Sequence, residues 1–175
     1  MKPIAPVHRL AVFMFRDGLA LMLVAVGWAW ALSLNAVGMP VPLALGLALG
    51  LGTPVAGFLL HEWGHLAGAQ WSGAVVYLPP TPAALFLFRF DTGRSTRRQF
   101  LAMSMGGFIA SALIVAILVV GLPWNLLAAR IALALTALGV LATFVLEIPP
   151  AWRVYRGGPL PEGAVFVAEG VAPPD

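Results

Sequence analysis

PLALGLALGLGTPVAGFLLHEWGHLAGAQW, residues 42–71, is an apolar run whose only charged side chain is Glu62. It is longer than the roughly 20 residues a helix needs to cross a bilayer. Pro40 precedes it and Gly73 follows it, so the run has natural ends. Runs of the same kind recur at 18–37, 100–122 and 124–148, the last expected to stop at Pro149-Pro150. The sequence thus predicts an α-helical polytopic membrane protein with about four transmembrane helices.

Composition agrees. Of 175 residues, 61% are hydrophobic and 10% charged, against about half and about a quarter in a soluble domain. The net charge of +3 does not point to nucleic acid, because the basic residues sit at the ends of apolar runs rather than on one face. Cysteine is absent, which excludes disulfides and thiolate ligands. The first run follows Lys2, Arg9 and Arg16 as a signal peptide would, but it is too long for a signal core and lacks a cleavage site. Residues 1–156 are expected to form one membrane-embedded core, and 157–175 a Gly- and Pro-rich extended tail.

Arg89, Arg94, Arg97 and Arg98 lie between spans two and three, and Arg153 and Arg156 follow span four. The short turns at 38–41 and 121–125 carry no basic residue. Positive residues mark the cytoplasmic side. Both termini and the central loop are therefore expected in the cytoplasm, with Arg130 snorkelling outward. Nine of the ten basic residues are Arg, which hints at a GC-rich bacterial genome, and the expected location is a bacterial inner membrane. Within 73–99, the stretches 74–77 and 84–90 are rich in β-branched and aromatic residues and are separated by Pro79, Pro80 and Pro82. They predict two short strands, hairpin-like, at the membrane surface.

His61 and His65 stand four residues apart, which on a helix puts both imidazoles on one face, able to hold one zinc ion. Glu62 follows the first histidine, where the H-E-x-x-H pattern places a general base. The bland reading, a polar cluster between helices, would not need this order and spacing. Gly46, Gly50, Thr53, Gly57, Gly64 and Gly68 recur at helical steps and predict one close-packing stripe, with Trp63 on the opposite, lipid-facing side. His8 is assigned no role. A catalytic zinc site takes a third protein ligand and keeps one position open. Glu147 is the candidate. His61 lies about 19 residues into its span and Glu147 about 23 into its own, which at about 1.5 Å per residue matches their depths within about one turn. The alternatives are an interfacial Glu147 paired with Arg153, and Asp91 as the ligand.

With these residues in hand, the chain resembles the site-2 protease family of intramembrane zinc metalloproteases. Residues 57–69 look like that family's H-E-x-G-H helix, with Gly64 at its glycine. Gly106-Gly107-Phe108-Ile109-Ala110-Ser111 resembles the A-G-P-L-A-N motif, with Phe108 for Pro and Ser111 for Asn. The family's D-G pair in the fourth span, preceded by N-P-x-P, has only Glu147 to stand for it here. The resemblance implies a protease that cuts transmembrane segments of other membrane proteins near the cytoplasmic face. In that reading His61, His65 and Glu147 hold Zn2+, Glu62 takes the proton, and Ser111 contacts substrate or packs helices. An edge strand within 84–90, with Phe86 and Phe88, holds the extended substrate. The rival readings are an inactive homologue serving as a membrane scaffold or regulator, and a metal transporter, the latter disfavoured by the lack of a second intramembrane metal site.

Overall fold

The computed structural model of the chain describes residues 6–162 and 166–167. The order is α1 (Pro6–Ala36), α2 (Leu43–Trp71), β1 (Val76–Tyr77), β2 (Arg89–Asp91), α3 (Arg97–Gly121), α4 (Leu127–Leu146), α5 (Ile148–Tyr155) and β3 (Phe166–Val167). Among the described residues, four helical stretches are long and apolar enough to cross a membrane: His8–Ala36, Leu43–Trp71, Arg97–Gly121 and Leu127–Tyr155. The protein is an α-helical membrane protein of four such helices with a small sheet between the second and third. Large apolar side chains such as Leu23, Val26, Leu113, Ile117 and Phe144 stay exposed, as expected of surfaces solvated by lipid rather than water.

α2 is the central helix. It is the most buried of the four, 28% of its apolar window against 6–17% for the others. Small residues let its neighbours approach. A Cβ on Gly64 would meet Ala110 Cβ and the Gly106 carbonyl, and one on Gly68 the Ala102 carbonyl. At the far end, a Cβ on Gly50 would stand 2.9 Å from Ile131 of α4. The expected single stripe is therefore divided among three partners: Gly64 and Gly68 face α3, Gly50 faces α4, and Thr53 faces α1, taking a hydrogen bond from Trp28 Nε1 at 2.9 Å.

Several expected boundaries move. α1 begins at Pro6 rather than near residue 18, because nothing between Val7 and Asp17 breaks a helix; Arg9, Arg16 and Asp17 are thus helical. α2 ends as expected, with Gly73 at φ 71° and the Ala74 N–H on the Ala69 carbonyl. α3 starts early, at Arg97, because Thr96 and Gln99 form a capping box. α4 starts late, at Leu127, after a turn in which Leu126 N–H reaches the Pro123 carbonyl. Pro149 and Pro150 do not end the fourth span. The break falls at Glu147, and the prolines lie in the first turn of α5, where a missing N–H is harmless.

The strands are shorter than expected. β1 keeps Val76–Tyr77, and β2 covers Arg89–Asp91 only; residues 81–87 form turns and bends around Pro82. β1 and β2 pair antiparallel, Val76 opposite Phe90 and Tyr77 opposite Arg89. β3 adds in parallel, Phe90 opposite Phe166. So part of the tail expected to be merely extended completes a three-stranded sheet. Phe88, Phe90, Phe100, Met103, Leu66 and Val154 form the core between this sheet and the helices.

Candidate metal centre

α2 presents His61 and His65 one turn apart, their ring centroids 4.4 Å from each other at 80°. Each ring is oriented from behind by α3. His61 Nδ1 lies 3.1 Å from the Gly107 carbonyl and 2.8 Å from Ser111 Oγ; His65 Nδ1 lies 3.0 Å from the Met103 carbonyl. A carbonyl only accepts, so each Nδ1 carries the hydrogen and each Nε2 is left with a lone pair. Met103, Gly107 and Ser111 are themselves four residues apart. Two antiparallel helices with matching steps therefore hold both rings. Gly107 has no side chain because the His65 ring occupies the space a Cβ would take.

The two Nε2 atoms are 3.0 Å apart. Glu147, at the break between α4 and α5, brings its carboxylate to them: Oε1 is 3.2 Å from His61 Nε2 and Oε2 is 3.3 Å from His65 Nε2. Oε2 is buried and accepts no hydrogen bond. All three ligand atoms lie within 4.8 Å of one another. Lone pairs and a carboxylate converging this way repel each other unless a proton or a metal ion sits among them. A four-coordinate ion with bonds of about 2.0–2.2 Å sets its ligand atoms about 3.3–3.6 Å apart, close to the spacings seen. The donor set of two imidazoles and one carboxylate can hold a metal ion.

Glu62, 8% exposed, follows His61 directly and stands beside this cluster. Its Oε2 accepts the Leu87 backbone N–H at 3.2 Å. Together with His65 and Glu147 it lines a cavity of about 300 Å³ walled by Phe86, Phe88, Phe90, Phe100 and Met103. A second cavity of about 280 Å³ lies between α2, α3 and α4 and reaches His61, Glu147 and Ser111. The cluster thus borders two cavities, and the half-exposed Phe86 lines both.

The remaining sequence candidates fall as follows. Ser111 stands behind His61, so the contact seen is to a ring nitrogen. Phe88 is buried in the wall of the first cavity. Neither Phe86 nor Phe88 belongs to a strand; the segment before Arg89 is a loop, which corrects the expected strand over 84–90. Asp91 is not at the cluster. It accepts the Gly93 and Arg94 N–H groups and the Tyr77 hydroxyl, a turn-forming role. Among the described residues Glu147 pairs with the histidines and not with Arg153. Trp63 does not face lipid: its Nε1 donates to Asp17 of α1 at 2.8 Å. The orienting carbonyls and the Leu87 N–H left no mark in the sequence, since any residue supplies them; Asp17, an acid next to Arg16 at the start of the first apolar run, was the one visible signal. The chain has no match among family models, curated proteins or solved structures.

Proposed function

We propose that this chain is an intramembrane zinc metalloprotease of the site-2 protease kind, embedded in the inner membrane of a bacterium with both termini in the cytoplasm. Its substrates would be transmembrane segments of other membrane proteins, cut near the cytoplasmic face. The observation that carries the reading is the convergence of His61 Nε2, His65 Nε2 and the Glu147 carboxylate at the edge of the apolar cavity that Glu62, His65 and Glu147 line. Two histidines and a glutamate are a normal donor set for catalytic zinc.

Bound zinc would supply a Lewis acid and lower the pKa of water at the open position. The chain's own residues do the rest. The α3 carbonyls keep both Nε2 lone pairs aimed at one point. Glu62 takes a proton from water and returns it to the leaving amine. The phenylalanine walls exclude bulk water and accept the apolar side chains of an unwound peptide. Such a peptide must be extended, because a helix hides its carbonyls.

The test compares membranes expressing wild type with membranes expressing Glu62→Gln. New protein termini inside or beside transmembrane segments should appear with wild type and vanish, by about 100-fold or more, in the variant. Identical termini in both would sink the protease reading and leave an inactive scaffold as the better one.

A further inference from the structure

Three residues ahead of Leu87, the same loop is held by α1. Arg16 donates through one guanidinium nitrogen to the Pro82 carbonyl and, at 3.3 Å, to the Ala84 carbonyl. Asp17 is 2% exposed and takes two hydrogen bonds, from Arg16 Nε at 2.6 Å and from Trp63 Nε1 at 2.8 Å. Trp63 sits between Glu62 and Gly64. The guanidinium also lies over the Phe13 ring, 4.8 Å from its centroid.

We propose that Arg16 and Asp17 are positioning residues that clamp the 82–88 loop closed over Glu62. The clamp has two jaws. Asp17 fixes Arg16 to the back of the metal-motif helix through Trp63, and Arg16 fixes the loop through two carbonyls. Pro79, Pro80 and Pro82 stiffen the segment, so pinning Pro82 and Ala84 sets where Leu87 falls. At the inner end Leu87 N–H closes on Glu62, and Leu87 and Phe88 are buried beneath it. The first helix thereby controls how often the loop lifts to free the carboxylate and admit an extended peptide. The importance of that access rests on the protease reading; the clamp itself does not.

The chain has no cysteine, so a single introduced thiol reports cleanly. In detergent-solubilised full-length protein, thiol labelling is followed at Leu87→Cys, with Phe88→Cys as a second probe and Leu49→Cys in the distant α1–α2–α4 core as a reference. Adding Arg16→Gln should speed labelling at 87 and 88 about tenfold or more, the effect expected from losing charge-assisted hydrogen bonds. Labelling at 49 should stay constant. Arg16→Lys, which keeps the charge but not the fork, should fall between. Unchanged labelling at 87 and 88 overturns the clamp. So does an equal rise at 49, which would mean that Arg16 merely holds α1 in place. Because labelling needs no substrate, either result is independent of whether the protein cleaves anything.

Discussion

At the residue scale the account turns on Glu147, the carboxylate that completes the proposed metal site. The carboxylate touches both Nε2 atoms, so Glu147→Gln removes the charge a dication favours. Metal affinity should fall by more than about 100-fold, beyond the 10–100-fold typical of outer-shell partners. Glu147→Asp should keep partial affinity, its carboxylate being drawn back by one methylene. Asp91→Asn should leave metal content unchanged and cost about 1 kcal/mol of stability through its turn hydrogen bonds. Metal titration of the three purified variants checks all of this. The His61, Glu62 and His65 trio was legible in the sequence because spacing on a helix is a local property. Glu147 was legible only through depth, which gives a level but no rotation. The environment of Trp63 was not legible at all: its opposite face depended on a residue 46 positions away.

At the element scale the α2–α3 contact does two things at once. Gly64, Gly68 and Gly106 bring the backbones together, and that closeness lets the Met103 and Gly107 carbonyls reach the histidines. Gly107→Ala should therefore displace the His65 ring, weakening metal binding about 10–100-fold and destabilising the protein by about 1–3 kcal/mol. Gly139→Ala on α4, where an added Cβ meets nothing within 4 Å, should leave metal binding unchanged and, if anything, stabilise the helix by about 0.5–1 kcal/mol. Thermal unfolding with and without metal separates the two effects. α2 ended where the sequence put it because glycine punctuates it. The fourth span did not, because a proline pair reads equally as the stop of one helix or the first turn of the next. The strands came out short for a related reason: β-branched and aromatic content marks a strand, but the prolines decide how much of it can pair.

At the scale of the whole molecule, four apolar helices follow from composition and run length alone, and both were plain in the sequence. The addition of β3 was not, since parallel pairing between distant short segments leaves no local pattern. Orientation is a separate matter, argued from the arginines. Reporters fused after Val37 and after Pro123 should read outside, and those fused within 92–97 or after Arg156 should read cytoplasmic. Any reversal would move the site to the other face and withdraw the cytoplasmic cleavage position from the account.

The most direct test of the central claim is the zinc content of the purified protein. Wild type should carry about one equivalent per chain, as a single site with three protein ligands requires. Glu62→Gln should keep it, since Glu62 handles protons and is not a ligand. His61→Ala should lose at least about nine-tenths of it under the same preparation. Zinc retained by His61→Ala at the wild-type level, or a wild type that takes up none when zinc is supplied, would contradict the assignment of His61, His65 and Glu147 as a metal centre.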